Sequence, residues 1–365
     1  MTTSHPLIGQ HINQADTPAL WVDLEALDSN TAKMYELAKS HWVRWRPHVK
    51  ASKSPDLAKR LIEGGAQGIT CAKVSEAEAM VAGGITDILI ANEVIGETKI
   101  SRLVKIAESA RICVACDDVE NIQDISLAAV AASQNIDILV DINVGANRCG
   151  VTPDKAPSLA ELVTELPGIR LRGLMGYEGH VMGMQPEDKE AASSQAADIL
   201  AEAKQALESA GFHVEILSGG GSGNYWHAAS LGSINELQAG GGALMDISYQ
   251  ELMKLPDHQY ALFLNAQVVS TAVEGRIILD AGWKSTGRHT GLPRIVSHND
   301  SEVISLNAEH TIVQSSGDPE VSAGDRMTMV PHYSDSTVLL HREMYAVRNS
   351  IIEDVWPITG AGALH

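Results

Sequence analysis

The stretch Trp45-Arg46-Pro47-His48-Val49-Lys50-Ala51-Ser52-Lys53 closes a largely apolar run, residues 41–45, that predicts a short buried strand. Side chains alternate between the two faces of a strand, so we expect His48 and Lys50 to point the same way. A lysine in a partly desolvated pocket at the end of a strand has a lowered pKa and acts as an amine nucleophile. Lys50 is therefore a candidate nucleophile, and the alternative is a solvated lysine at a strand end.

Outward from this stretch, short apolar runs alternate with amphipathic segments of helical period as far as residue 245. The runs that predict strands are residues 43–48, 68–71, 87–91, 111–115, 136–142, 171–177, 214–217 and 235–245. Eight strands with a helix at regular spacing and no break between them predict a closed (β/α)8 barrel. The alternative, an open doubly wound sheet, normally has fewer strands.

The pattern of the chain changes after about Pro256, where short strand-like runs follow one another between turn residues. One of these runs covers residues 337–340. Such a succession predicts an all-β second domain. The sequence therefore predicts an α/β chain of two domains, a barrel over residues 18–255 and a β domain over residues 256–365 together with residues 1–17.

The composition is that of an ordinary globular protein, with 44% hydrophobic and 20% charged residues among 365. The formal net charge of -19 argues against nucleic acid and anionic membrane surfaces as partners. Residues 1–20 lack the pattern of a secretory leader and no apolar run is long enough to span a membrane, so we expect a cytoplasmic protein. The pair Cys113 and Cys116 lies on an apolar run, which favours buried thiols over a zinc or redox site.

Two glycine-rich stretches accompany the last two predicted barrel strands, Ser218-Gly219-Gly220-Gly221-Ser222-Gly223 and Gly240-Gly241-Gly242. Active sites of barrels lie at the carboxyl ends of the strands, and phosphate sites are built at the last two. Glycine lets backbone N–H groups approach an anion closely, while the alternative is that glycines mark tight corners of the barrel. The candidates for holding a phosphate are Gly221, Ser222, Gly240 and Gly241.

Two further side chains follow predicted barrel strands. Arg148, after the fifth strand, could hydrogen-bond a phenolate or a carboxylate, and the alternative is a surface ion pair. Tyr177, after the sixth strand, could stack on an aromatic cofactor, and the alternative is an aromatic residue at the rim. Together with the glycine turns, they support the hypothesis that Lys50 forms a Schiff base with pyridoxal phosphate (PLP). His48 is then a candidate for proton transfer or for a hydrogen-bonded scaffold residue.

Five motifs occur in order along the chain. They are R-P-H-x-K at 46–50, K-V-S-E-A-E at 73–78, G-x-x-R-C-G at 145–150, S-G-G-G-[ST]-G at 218–223 and E-D-V-W-P at 353–357. With them, the chain from about Thr17 onward resembles the D-threonine aldolase and D-serine dehydratase family, which includes D-3-hydroxyaspartate aldolase. The resemblance implies an alanine-racemase-type PLP enzyme that consists of a PLP-binding barrel and a β domain.

The resemblance also implies roles and partners. Lys50 would be the Schiff-base lysine, and Ser222, Gly240 and Gly241 would contact the phosphate of PLP. The implied activity is that of a lyase which cleaves β-hydroxy-D-amino acids, such as D-threonine or 3-hydroxy-D-aspartate, to glycine and an aldehyde. The alternatives are a D-serine or 3-hydroxy-D-aspartate dehydratase, an amino-acid racemase and a non-catalytic PLP-binding protein. The implied assembly is a homodimer that acts on a small amino-acid substrate.

The divalent metal site of the family is where this sequence departs from the pattern. The pattern is P-x-H-x-[DC]-x-T, with Asp in aldolases and Cys in dehydratases, and the chain has Pro331-His332-Tyr333-Ser334-Asp335-Ser336-Thr337. Asp335 matches the acidic ligand and favours an aldolase, but Tyr333 takes the place of the histidine and His332 is one position early. Either His332 reaches a Mn, Mg, Co or Zn ion beside Asp335, or the metal is lost or weakened and Asp335 or Tyr333 alone carries protons. Without a metal, a neutral histidine such as His332 or His180 would serve as the catalytic base.

Overall fold

The computed structural model describes residues 5–255, 257–316 and 321–365, which form two compact units. The barrel unit consists of Lys33–Lys50, Ala58–Gly240 and Ala363–His365. The β unit consists of the described residues of Met1–Ala32, Ala51–Leu57 and Gly241–Gly362. The predicted domain boundaries stay a prediction, and residues 1–4, 256 and 317–320 of the predicted β domain lie outside the described residues.

The elements follow in chain order. The strands are β1 (Ala19–Asp23), β2 (Arg44–Trp45), β3 (Ile69–Cys71), β4 (Asp87–Glu93), β5 (Arg111–Cys116), β6 (Ile136–Asp141), β7 (Ile169–Gly176), β8 (Ile216–Gly219), β9 (Glu236–Leu237), β10 (Leu262–Val273), β11 (Arg276–Leu279), β12 (Arg294–Ile295), β13 (Ser301–Leu306), β14 (Thr311–Ser315), β15 (Arg326–Val330), β16 (Glu343–Arg348) and β17 (Ile351–Pro357). The α-helices are α1 (Leu24–Ser40), α2 (Pro55–Glu63), α3 (Val74–Ala82), α4 (Glu97–Ile106), α5 (Val119–Ala131), α6 (Ala156–Glu165), α7 (Pro186–Ser209), α8 (Tyr225–Ser230), α9 (Trp283–Thr286) and α10 (Ser334–Val338). None of the helices in the described ranges combines the length and the apolar content needed to cross a bilayer.

The barrel unit contains eight parallel strands in the order β2-β9-β8-β7-β6-β5-β4-β3. A parallel bridge between His48 and Thr70 joins the segment after β2 to β3, and the amide of Thr70 donates to the carbonyl oxygen of Pro47 at 2.9 Å. The sheet therefore curls until its two outer strands meet. The predicted eight-stranded barrel and the β domain that follows it are confirmed.

Apolar strand residues explain why this sheet forms. All six residues of β6 are buried, as expected for a parallel strand covered on both faces. One buried cluster, drawn from five neighbouring strands, consists of Leu89, Cys113, Ala115, Leu139, Met175 and Ile216. Burial raises the pKa of the Cys113 thiol, and Cys116 is also a buried free thiol. The cysteine pair therefore belongs to the core, as its apolar surroundings predict.

An ion network inside the barrel unit uses two residues of the sequence motifs. Arg46 is buried, with its Nε atom 2.9 Å from an oxygen of Glu236 and its Nη1 atom 2.6 Å from an oxygen of Asp87. Ser218 donates its hydroxyl to the other oxygen of Glu236 at 2.9 Å. A buried guanidinium requires such partners. Arg46 and Ser218 therefore link β2, β4, β8 and β9. This structural role accounts for both motif residues without any contact to a ligand.

The β unit is built on a largely antiparallel sheet. Its strands follow the order β13-β14-β11-β10-β1-β16-β17, and β15 pairs with β10 and β12. The early strand β1 belongs to this sheet because it pairs with β10 in antiparallel and with β16 in parallel orientation. The sheet thus takes its strands from both ends of the chain.

The strand predicted for residues 337–340 is wrong, because helix α10 covers Ser334–Val338. The buried carboxylate of Asp246 accepts hydrogen bonds from the Ser334 amide at 2.6 Å and from the Ser334 hydroxyl at 2.7 Å. One N–H group of the first helical turn is thereby satisfied. This tertiary contact overrides the strand preference of the apolar run.

Candidate active site

Lys50 lies at the carboxyl end of β2, but it is no longer on a strand. It belongs to a 3-10 turn, Val49–Ala51, that follows the bridge at His48. The expected alternation of His48 and Lys50 on one strand face therefore does not apply. Instead, the backbone N–H of Lys50 donates to Nδ1 of His48 at 3.2 Å. A ring nitrogen that accepts carries no proton, so the neutral ring of His48 has its proton on Nε2.

Gly240 lies directly against this segment. The amide of His48 donates to the carbonyl oxygen of Gln238 at 2.8 Å, which brings the end of β9 alongside the end of β2. A Cβ atom at Gly240 would lie 2.6 Å from the backbone nitrogen of His48 and would overlap its carbonyl oxygen. Only glycine fits there, and a predicted phosphate residue is thereby placed next to the Lys50 turn.

The glycine loop after β8 is held in place by side chains. Gly220 has a φ of +79°, in the left-handed region that favours glycine. Its amide donates to Oε2 of Glu178 at 3.1 Å, and the amide of Gly221 donates to Oδ1 of Asn224 at 3.2 Å. These two amides are therefore engaged within the protein. An anion at this loop would be bound by the donors that follow, which include the buried Ser222.

Glu178 and Asn224 form the brace behind this loop. Nδ2 of Asn224 donates to Oε1 of Glu178 at 2.9 Å, and both side chains are buried. Burial raises the pKa of the Glu178 carboxyl, while its hydrogen bonds oppose that shift. Sequence reasoning missed both roles. The signal for Glu178 was its position immediately after Tyr177, at the end of a predicted barrel strand.

Arg148 and Tyr177 are brought together. The guanidinium carbon of Arg148 lies 5.6 Å from the centroid of the Tyr177 ring, a cation–π arrangement. Gly221 also packs near this ring, because a Cβ atom built there would lie 3.1 Å from Cε2 of Tyr177. Two groups of expected site residues therefore form within the barrel unit, His48 with Lys50 and Gly240, and Arg148 with Tyr177 and Gly221.

A cluster of acidic residues, which the sequence did not lead us to expect, lies at three neighbouring strand ends. Glu93 ends β4, Asp117 follows β5, and ligand atoms of these two and of Cys149 lie within 4.8 Å of one another. Asp141 ends β6, and burial, with Glu93 and Asp117 as neighbouring negative charges, raises its pKa to about 8. Burial and the neighbouring Glu93 raise the pKa of the Cys149 thiol to about 11. The signal that could have found this cluster is an acidic residue at each of three successive strand ends.

In the β unit, His332 is held by hydroxyl groups. Its Nδ1 atom lies 2.6 Å from the hydroxyl of Thr290 and 3.0 Å from that of Ser248. Burial lowers the pKa of His332, so its ring is neutral at pH 7. A Cβ atom at Gly291 would overlap this ring, which shows how closely the chain packs against it.

Asp335 lies in the first turn of α10, next to a second carboxyl group. Burial raises the pKa of Asp246 to about 7, and the charge of Asp335 adds to this rise. Tyr333, which replaces the expected histidine, has its ring centroid 6.2 Å from that of Tyr249 and 6.0 Å from that of His289.

The two predicted metal ligands, His332 and Asp335, belong to no group of three clustered metal-ligating side chains in the described part of the chain. The remaining phosphate candidate, Gly241, also lies in the β unit, where a Cβ atom would overlap the ring of Tyr249.

Comparison with known families agrees with these features. The family described as "Alanine racemase, N-terminal domain" matches residues 22–246, and the one described as "Putative serine dehydratase domain" matches residues 261–347. A D-threonine aldolase from Arthrobacter sp. is 38% identical over 359 residues, which cover 97% of this chain and 95% of the relative. A 3-hydroxy-D-aspartate aldolase from Paracoccus denitrificans (strain Pd 1222) is 36% identical over 98% of this chain and 95% of the relative.

A solved structure is similar over the same length. The crystal structure of a D-threonine aldolase from Filomicrobium marinum matches with a TM-score of 0.94 at 36% identity, covering 98% of this chain and 99% of that one. The resemblance carried by the five motifs is thereby confirmed. The chain belongs to the alanine-racemase-type family that includes D-threonine aldolase and 3-hydroxy-D-aspartate aldolase.

Proposed function

We propose that the protein is a PLP-dependent lyase that cleaves a β-hydroxy-D-amino acid to glycine and an aldehyde. The observation that carries this proposal is the position of Lys50, at the carboxyl end of a barrel strand and beside the obligatory Gly240, in a chain whose family implies PLP. Both curated relatives named above are aldolases, and Asp335 stands where the aldolase pattern has its acidic ligand.

The residues of the barrel unit fit PLP. A Cβ atom would meet the His48 backbone at Gly240 and the side chain of Met182 at Gly221, so glycine is what keeps both backbone segments close to the Lys50 turn and to Tyr177. Lys50 would hold the cofactor covalently, and Ser222 with Gly221 and Gly240 would contact its phosphate, while the family resemblance adds Gly241. When bound, PLP supplies an electron-withdrawing ring that accepts the electrons of the breaking bond.

Arg148, Tyr177 and His48 would orient the bound groups and supply positive charge. Arg148, over the ring of Tyr177, offers a fixed positive charge for the phenolate oxygen of the cofactor or the carboxylate of the substrate. Nδ1 of His48 accepts from the backbone N–H of Lys50, which fixes the turn that carries the lysine. This contact favours the scaffold role for His48, and proton transfer by His48 stays the alternative proposal.

For the β unit, we propose that His332 and Asp335 serve the β-hydroxyl of the substrate. Cleavage of the Cα–Cβ bond requires removal of this proton, and the lowered pKa of His332 keeps its ring neutral as a base requires. A divalent cation (Mn, Mg, Co or Zn) held by Asp335 and His332 would lower the pKa of that hydroxyl.

The test is product analysis on D-threonine, D-phenylserine, D-serine and 3-hydroxy-D-aspartate, with and without a divalent cation. We expect glycine and an aldehyde from at least one of the first, second and fourth substrates. Ammonia and an oxo acid would show a dehydratase, and loss of optical purity alone would show a racemase. A protein that binds PLP and turns over none of them would have to be reassigned as a PLP-binding protein.

A further inference from the structure

The carboxyl ends of β4, β5 and β6 bring three carboxyl groups and a thiol together at one edge of the barrel sheet. Glu93, Asp117 and Cys149 each offer one ligand atom, and these three atoms lie within 4.8 Å of one another. Asp141, the last residue of β6, adds a fourth side chain, because Glu93 and Asp117 act on its carboxyl as neighbouring negative charges. These four side chains form the strand-end cluster, and the proposed reaction uses none of them.

Among the described residues, Asp141 is a buried carboxyl group without an N–H donor. It is 4% exposed, and its hydrogen-bond partner is the carboxyl group of Glu93. Two carboxyl groups are held together only by a proton or a cation that lies between them. The other carboxyl groups that are equally buried in the described ranges accept from amide or guanidinium donors, and they are Glu76, Asp137, Glu178, Glu236 and Asp246.

Glu93 carries a second sign of a missing partner. Its Oε1 atom is shielded from solvent and has no hydrogen-bond partner among the described residues. An oxygen in this condition loses its hydration without a replacement, which is costly. The register of β4 against β5 shifts between Ile90 and Glu93, an irregularity of the kind that re-aims a side chain. The sheet thus holds this oxygen inside the strand-end cluster.

The thiol of Cys149 is placed by a closed loop. A β-bridge joins the two ends of residues 142–151, and the amide of Gly150 donates to Oδ2 of Asp117 at 2.9 Å. Gly150 has a φ of +94°, and a Cβ atom there would lie 2.5 Å from the backbone nitrogen of Asn143. This packing fixes Cys149 next to Gly150, and it leaves Oδ1 of Asp117 for a ligand.

Negative charge is concentrated in the strand-end cluster. Burial and the charges of Glu93 and Asp117 raise the pKa of Asp141 to about 8, although Arg148 opposes this shift. In the described part of the chain, Arg148 is not ion-paired with these carboxyl groups, and its guanidinium lies over the ring of Tyr177. Such a site attracts a cation, and a divalent cation displaces the protons of its ligands when it binds.

The donor set selects the class of cation. Zn²⁺ and Co²⁺ accept both carboxylate oxygen and thiolate sulfur, whereas Mg²⁺ and Ca²⁺ prefer oxygen ligands. Four side chains also match the coordination number of a structural zinc site. We propose that the strand-end cluster binds a divalent cation of the zinc type, which ties the ends of β4, β5 and β6 to the loop that carries Arg148.

Cobalt is the probe for this site. The full-length protein is dialysed against EDTA, freed of the chelator and titrated with Co²⁺. Cobalt bound to a thiolate has a charge-transfer absorption band in the near ultraviolet, which carboxylate and histidine ligands do not produce. We expect this band to appear and to saturate at one Co²⁺ ion per chain, and Zn²⁺ should displace it. Difference spectra remove the absorption of bound PLP.

The variants separate the ligands. Cys149→Ser should abolish the band, because it removes the sulfur. Glu93→Gln keeps the size of the side chain without its charge, and it should raise the Kd of Co²⁺ about tenfold or more. Asp335→Ala should keep the band, since the cation predicted in the β unit has no thiol ligand. Cys113→Ala, at another thiol of the barrel unit, and Asp124→Asn, at an exposed position of α5, are the controls and should change neither quantity.

Each outcome decides the inference. Loss of the band in a folded Cys149→Ser supports it, whereas a wild type without the band, or a band that survives Cys149→Ser, would overturn it. Wild-type affinity in Glu93→Gln would overturn the role of the carboxylates. Circular dichroism checks each fold, and Asp117→Asn provides the measurement if Glu93→Gln does not fold. A protein that shows the band but cleaves no β-hydroxy-amino acid refutes only the proposed function.

Discussion

A substitution at Lys50 can remove the catalytic amine and leave the fold intact. It is half-buried in a turn, so Lys50→Ala removes the amine without opening a cavity in the core. We expect lyase activity to fall by on the order of 1000-fold or more, since a nucleophile has no substitute in the site. Product formation measures the loss, and far-ultraviolet circular dichroism measures the fold. Lys59→Ala, on the exposed part of α2, is the control and should keep full activity.

Gly240 is constrained by its neighbour. In Gly240→Ala, the new methyl group would meet the backbone of His48, which cannot move without shifting the end of β2. We expect a loss of about 1–3 kcal/mol in the free energy of unfolding, together with weaker PLP binding. Denaturant unfolding and cofactor titration measure the two effects. Gly183→Ala, where a Cβ atom meets nothing within 4 Å, should be neutral, and equal behaviour of the two variants would contradict the close approach.

At the scale of elements, the ends of β4, β5 and β6 predict a dependence of stability on pH. The pKa of Asp141 is raised to about 8 in the folded chain, so the folded state holds a proton that the unfolded state releases above about pH 4. Its contribution therefore favours folding below pH 4 and is lost as the pH rises towards 8, at up to about 1.4 kcal/mol per pH unit.

Asp141→Asn replaces the titrating carboxyl group by a neutral amide. The free energy of unfolding should then depend less on pH between pH 4 and 8. The variant should gain stability relative to the wild type as the pH rises. Denaturant unfolding at several pH values measures the difference. Asp154→Asn, in an exposed 3-10 turn, is the control. Parallel pH profiles for wild type and Asp141→Asn would refute the raised pKa.

Helix α10 carries the prediction about metal. If Asp335 holds a divalent cation, exhaustive dialysis against EDTA should lower activity and Mn²⁺ should restore it. Asp335→Ala should have low activity that Mn²⁺ does not restore, and Asp300→Ala, at an exposed position of the same unit, is the control. Full activity after dialysis, with no metal by elemental analysis, would mean that the exchange of histidine for Tyr333 removed the site.

Local contacts explain where sequence reasoning succeeded and failed on these elements. The barrel strands were recognisable because they are buried on both faces and read as short apolar runs, as in β6. The strand predicted at residues 337–340 failed because Asp246, distant in sequence, stabilises a helical turn at Ser334. The burial of Lys189 escaped notice because it lies in the charged segment Pro186-Glu187-Asp188-Lys189-Glu190, and nothing in that sequence reveals that its lysine faces inward.

At the scale of the whole molecule, assembly is the prediction that stays open to measurement. The family resemblance implies a homodimer, so light scattering should give a mass of twice 39.0 kDa. The mass should not change with PLP loading if the dimer forms without the cofactor. A monomer that retains lyase activity would contradict the implied assembly.

The seam of the barrel has a mechanical consequence. Among the described strands, neighbours in the barrel sheet share ladders of two or more residue pairs, whereas the segment after β2 meets β3 through one bridge, His48 with Thr70, and through hydrogen bonds that Gln67 and Thr70 donate to the carbonyl oxygens preceding His48. Lys50 lies two residues beyond that bridge. A ligand tethered to Lys50 would therefore lie beside the shortest strand pairing of the barrel. We expect PLP bound to Lys50 to slow the local opening of this closure, and amide hydrogen exchange at Thr70 with and without PLP measures the effect.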